Sequence, residues 1–237
     1  MDDLVSKYRR PSLALLGALI DPSKDCRLDK DEDNYRIKIE IPGKTHTLST
    51  DFLNRSGKPL YNAPMALAEV NGDFTALVDV VGDISPGTDP PRDRTSRGVP
   101  FTYQSAGLVL YQDKNNYVRL ERFVSIVGPA VSPVMLHRVV VEAFKDGKAV
   151  MNPIQLNAPR GDVMLAIERR GGKIRCLVRP NGVKAAASLP GLSLELPAKV
   201  RVGLVASNIS AKPFSATFGD FVLITDINKL KAELGRD

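Results

Sequence analysis

The chain has 237 residues, of which 43% are hydrophobic and 25% charged, and its 33 Lys and Arg against 27 Asp and Glu give a net charge of +6. That balance excludes a disordered chain and supplies apolar residues enough for a core without metal or disulfide staples. No apolar run approaches the ~20 residues needed to cross a bilayer, and the short run at 13–20 has no small-residue cleavage site after it. The expectation is therefore a soluble chain with no membrane partner and no signal peptide: cytoplasmic as given, or extracytoplasmic if it is excised from a longer protein.

Residues 1–16 read as an N-terminal extension and 17–225 as one domain. Asp29, Asp31 and Asp33, with Glu40 eleven positions after Asp29, partly imitate a calcium-loop spacing. The sixth-position Gly is missing and Glu40 falls inside a strand pattern, so an acidic turn is expected, with no cofactor and no metal. Tyr35, Ile37, Ile39 and Ile41 alternate with Arg36, Lys38 and Glu40, which is a strand with one wet face, ended by Pro42-Gly43.

A second strand is expected at 74–81. Residues 83–98, rich in Pro, Arg and Asp, read as a long loop. Strands at 106–111 and 117–124 flank Gln112-Asp-Lys-Asn-Asn116, which is hairpin chemistry. Further strands follow at 137–144, 163–168, 174–179, 200–206 and 214–224. In the hairpin around Gly171-Gly172, Val163, Leu165 and Ile167 face the same way as Ile174, Cys176 and Val178, so Cys176 reads as a small buried hydrophobe. Whether it pairs with Cys26 stays open. Only 226–234 looks helical, with Asp226 as cap and Ile227, Leu230 and Leu234 at helical spacing.

Many short strands with Gly and Pro between them describe an all-β antiparallel sandwich or barrel with a short C-terminal helical tail at 226–237. The expected core is Ile37, Ile39, Val118, Leu120, Leu165, Ile174, Cys176, Val178, Val202 and Phe218. Arg92, Arg94 and Arg97, and a second group from Arg160 through Arg169, Arg170, Lys173 and Arg175 to Arg179, have no interleaved aromatics. They read as solvated faces, and no nucleic-acid partner is expected.

Several phrases in sequence order carry a resemblance: Asn62-Ala-Pro64, Val70-Asn-Gly-Asp-Phe74, Ser105-Ala-Gly-Leu-Val-Leu-Tyr111, Gln112-Asp-Lys-Asn-Asn-Tyr-Val-Arg-Leu-Glu121, Val200-Arg-Val-Gly203 and Phe214-Ser-Ala-Thr-Phe218. They resemble an uncharacterised, regulation-of-enolase-like family of the concanavalin A-like lectin/glucanase superfamily, and also the sandwich module appended to some β-xylosidases. The resemblance runs from about Gly17 to Leu223. It implies a jelly-roll sandwich of two curved sheets whose concave sheet usually carries the ligand; it does not specify function.

Along 117–121, Tyr117, Arg119 and Glu121 share one strand face, and a four-residue loop at 113–116 would set Gln112 opposite Tyr117. A stacking ring, an amide and a charge pair suit a polyhydroxylated ligand. His46 and Asn62, held in turns, join this candidate ligand-binding set through the resemblance. Glycosidases of the superfamily commonly place two carboxylates on one strand, at i and i+4 or i and i+5, and no strand here has that arrangement. Glu121 and Glu142 each have Arg nearby, which would keep them ionised. His137 heads a strand and looks structural. The reading is a non-catalytic module binding a carbohydrate or similar ligand, with a structural or protein-interaction domain as the alternative and a glycoside hydrolase third. Absence of Trp counts against the first.

Overall fold

The computed structural model describes residues 13–48, 60–91, 101–128, 132–158, 160–183 and 185–225. Alternating apolar side chains dictate its architecture: each long strand has one face that must leave water, and two sheets stacked face to face satisfy them all. The strands in chain order are β1 (Arg27–Asp31), β2 (Arg36–Ile41), β3 (Met65–Asn71), β4 (Phe74–Val81), β5 (Thr102–Asp113), β6 (Asn116–Val127), β7 (Val134–Lys145), β8 (Lys148–Ala149), β9 (Ile154–Asn157), β10 (Val163–Arg170), β11 (Lys173–Pro180), β12 (Ala187–Ser188), β13 (Leu192–Ser193), β14 (Lys199–Ile209) and β15 (Phe214–Ile224). One antiparallel sheet runs β1-β2-β15-β4-β10-β11-β12, with β13 also on β11. The other runs β3-β14-β5-β6-β7-β8, with β9 also on β7. The protein is an all-β sandwich.

All ten expected core residues lie in the main cluster between the sheets, each no more than 4% exposed. Ile37, Ile39 and Ile41 interleave with exposed Arg36, Lys38 and Glu40, and Cys176 sits opposite Ile167 on adjacent strands. Both cysteines are free thiols. Leu13 and Leu16, in the segment read as an extension, are buried in the same cluster around a short 3-10 turn. No helix among the described residues is long and apolar enough to cross a membrane. The expected helix at 226–234 and Arg92, Arg94 and Arg97 lie outside the described residues.

Two strand details differ from the pattern. Tyr35 is not the first core residue of β2: it takes a left-handed φ of 51° and is 49% exposed. The acidic stretch before it is a tight hairpin in which Asp31 pairs with Arg36 and the Asp31 carboxylate accepts from the Asn34 backbone and side-chain amides, so the turn consumes Tyr35. The β5–β6 loop is also shorter than four residues. Asp113 pairs with Asn116 and Tyr111 with Tyr117, leaving Gln112 in a register shift instead of opposite Tyr117.

Candidate functional site

On β6, Val118 and Leu120 enter the core, so Tyr117, Arg119 and Glu121 face away from it on the outer side of the sheet. Register sets Arg119 directly against Glu142 of β7, and Glu121 against Gly107 of β5. Arg119 Nε and NH2 donate to one Glu142 oxygen at 2.9 and 2.5 Å, while its NH1 lies 3.2 Å from Glu121. Ser105 donates to the other Glu121 oxygen at 3.1 Å. Stacked rings flank this trio, Tyr117 with Phe144 at 4.8 Å and Tyr103 with Phe123 at 4.5 Å.

The face is closed. Tyr117, Arg119 and Glu121 are 0%, 4% and 1% exposed. Segment 45–48 roofs them: Tyr117 donates to the Leu48 carbonyl at 2.5 Å, and the Thr47 hydroxyl meets the Tyr103 hydroxyl at 2.6 Å. Burial pushes the Glu121 carboxyl above its ordinary range despite Arg119, and burial likewise raises the Tyr103 phenol to about 12. The neighbouring arginine therefore does not by itself keep Glu121 ionised as the sequence suggests. Burial opposes the charge on Arg119, but the two carboxylates outweigh it and raise its pKa.

His46 and Asn62 belong to the roof's anchorage, not to the trio. The Asn62 carboxamide accepts from Thr47 N–H at 3.1 Å and donates to the Thr45 carbonyl and the Ser23 hydroxyl. His46 bridges to Asn208 through backbone hydrogen bonds and sets its ring against Asp25. Gln112 sits at the opposite end of β5, in a shallow depression with Tyr111 and Arg201. Of the six residues expected to converge, Tyr117, Arg119 and Glu121 are together, His46 and Asn62 form a second group, and Gln112 stands apart. Neither ring nitrogen of His137 has a hydrogen-bond partner among the described residues, and burial lowers its pKa.

An open groove lies on the other sheet. Register aligns Arg36, Gly219, Asp79, Met164 and Arg179 in one row across β2, β15, β4, β10 and β11. All five positions lie opposite in parity to the core residues of their strands, so the row faces outward. Asn34, Asp162 and Asn181 from the turns and Asp220 from the irregularity in β15 wall it, enclosing about 590 Å³. Asp162 accepts from Gly82 N–H at 2.7 Å, which pins one wall. A register shift after Gly219 places Asp220 at a left-handed φ of 48°, and its N–H donates to the carbonyl of left-handed Tyr35 at 3.2 Å. Two non-glycine residues in a sparsely occupied backbone region thus meet beside the groove, where Asn34 and Arg36 flank Tyr35 in the chain.

No protein-family model matches the chain, and no curated protein matches it in sequence. Solved structures do match. A functionally unknown protein from Saccharomyces cerevisiae superposes with a TM-score of 0.61 at 16% identity, over 90% of this chain and 97% of that one. The GH43 protein BlXynB of Bacillus licheniformis gives 0.53 at 15% identity, over 85% of this chain but 37% of its own. A xylan β-1,4-xylosidase from Bacillus halodurans C-125 gives 0.50 at 12% identity, with 80% and 32% covered. The chain thus spans about a third of each of these two Bacillus proteins. Likeness at this identity shows a shared fold.

Sequence reasoning missed the groove because its residues come from five strands and the loops between them. One signal was visible: Asp79 is the only charge in the strand Phe74–Val81, on a face otherwise carrying Thr75, Leu77 and Val81.

Proposed function

We propose that this chain is a non-catalytic module that binds a carbohydrate or similar polyhydroxylated ligand, and that the ligand lies in the groove crossing β2, β15, β4, β10 and β11. The observation that carries the reading is an open cleft of about 590 Å³ lined by planar hydrogen-bonding side chains: Arg36 and Arg179 at its ends, Asp79 between them, Asn34 and Asn181 on the walls. That volume falls within the range of small-molecule sites, and carboxylates, amides and guanidinium groups pair readily with vicinal hydroxyls. Tyr35, 49% exposed and flanked in sequence by the lining residues Asn34 and Arg36, offers an aromatic side chain where no Trp exists. The likeness of fold to parts of a GH43 protein and of a xylan β-1,4-xylosidase fits this reading without specifying it. Glu121 and Glu142 both grip one Arg119 under a roof, an arrangement suited to a fixed network and not to proton transfer on a substrate.

The second reading, a structural or protein-interaction domain, is favoured by the closure of the Arg119 face. A glycan-array screen followed by titration of a positive glycan separates the two. Tyr35→Ala should weaken binding by roughly five-fold to over a hundred-fold, corresponding to about 1–3 kcal/mol for a lost ring contact. Gly219→Met should block the trough: a Cβ there meets Val81 Cγ2 at 3.3 Å, close but against a side chain, and the longer arm then projects into the groove. An array with no positive glycan, or a glycan bound equally by both variants, overturns the assignment.

A further inference from the structure

Two segments of the chain converge on a small cluster beside the roof. Asp21, Asp25 and Cys26 come from the first loop and His46 from the segment after β2, and one ligating atom from each lies within 4.8 Å of the other three. His46 is 1% exposed.

The ring orientation is the informative feature. His46 Nδ1 lies 3.2 Å from the Lys44 carbonyl and Nε2 lies 2.8 Å from an Asp25 carboxylate oxygen, so both ring nitrogens face acceptors. A neutral imidazole carries one proton and leaves its other nitrogen as a bare lone pair; with the proton on Nδ1, that lone pair faces Asp25. Two acceptors at that separation repel unless a positive charge lies between or beside them. Either a second proton sits on His46, or a cation does the joining. The first option adds an imidazolium to a carboxylate that already holds the Lys44 ammonium at 2.8 Å. The second uses donors already aimed inward: Cys26 Sγ stands 3.9 Å from the same Asp25 oxygen, and Asp21 Oδ2 is drawn into the loop by the Cys26 N–H at 2.7 Å. A carbonyl fixing the far nitrogen of a histidine is the usual support of a metal-bound imidazole.

We propose that Asp21, Asp25, Cys26 and His46 form a divalent-cation site of the zinc class. The donor set decides the class: one sulfur, one imidazole nitrogen and carboxylate oxygens suit zinc, whereas calcium and magnesium take oxygen alone. A tetrahedral zinc ion with bonds of about 2.0–2.3 Å sets its donors roughly 3.3–3.8 Å apart, so the cluster must close by about an ångström and the His46–Asp25 pair open slightly. Asp21 and Asp25 lie on a loop that can make this adjustment, and Lys44, 58% exposed, can retain the outer Asp25 oxygen or withdraw. The cation would fasten the first loop to segment 44–48, which roofs Tyr103 and Tyr117. Sequence spacing hides the site, because His46 stands twenty residues after Cys26 in no recognised zinc pattern.

The test uses the full chain, stripped with chelator and titrated with zinc alone and with cobalt(II) alone. The expected result is one zinc retained per chain after desalting, a raised melting temperature, and a sulfur-to-cobalt charge-transfer band with the cobalt ion. Cys26→Ser, at a half-buried loop position, should fold normally, lose the charge-transfer band and bind zinc at least ten-fold more weakly. Asp21→Asn should weaken zinc binding while keeping the band. No retained metal, a cobalt spectrum without the thiolate band, or identical behaviour of wild type and Cys26→Ser overturns the site and leaves a His46–Asp25 ion pair.

Discussion

Replacing Arg119 with leucine would leave Glu121 and Glu142 facing each other on adjacent strands with no counter-charge beneath the roof. Breaking a buried ion network by removing one partner typically costs about 3–5 kcal/mol, and urea melts of Arg119→Leu should show a loss of that size. A change below about 1 kcal/mol would mean that the trio is solvated. Glu121→Gln should be mild by contrast, because Arg119 keeps Glu142 and the carboxamide keeps the Ser105 contact. The two differ in pH dependence. Burial holds the native Glu121 pKa above its unfolded value, so the native state retains the proton longer. Glu121 therefore favours folding below the unfolded carboxylate range, and that contribution is lost as pH rises through the raised native pKa. Glu121→Gln should gain stability relative to wild type between acid and neutral pH; a constant difference between the two would contradict the burial argument.

The strands were largely legible because a period of two is a local property. Ile37, Ile39, Leu165, Cys176 and Val178 had to share faces whatever the rest of the chain did, and each lies in the core. Turns were less so. Tyr35 continues the apolar alternation on paper, yet the Asp31–Arg36 hairpin needs a left-handed residue there; Gln112 loses its partner to a one-residue shift that no propensity reveals. Close approaches between strands were also invisible. A Cβ at Gly107 would lie 2.1 Å from the Leu120 carbonyl oxygen and 2.7 Å from Glu121 Cα, both backbone atoms that cannot step aside. Gly107→Ala should therefore destabilise the β5–β6 pairing by several kcal/mol, within the range for severe backbone conflicts. A thermal melt within a degree or two of wild type would show that the strands separate more easily than the register implies. Cys176→Arg, which puts a charge into the inter-sheet core at a site 1% exposed, should be at least as damaging.

At the scale of the whole molecule, alternation tells which side chains share a face but not what covers that face. Tyr117, Arg119 and Glu121 were correctly tied together by spacing, while the roof comes from 45–48, some seventy residues earlier in the chain. The open polar cleft is on the other sheet, assembled from residues that only topology unites. Without two carboxylates four or five residues apart on any described strand, the protein should release no reducing sugar from common polysaccharides. Release that disappears in Glu121→Gln, Glu142→Gln or Asp79→Asn would reverse that conclusion. The central claim, that ligand binds across β2, β15, β4, β10 and β11, is tested most directly by mapping backbone amide shifts by nuclear magnetic resonance as an array-positive glycan is titrated in. The largest shifts are expected at Arg36, Asp79, Asn181, Gly219 and Asp220, with Ser105 and Glu121 unmoved; shifts centred on β5–β7 instead would contradict binding in the groove.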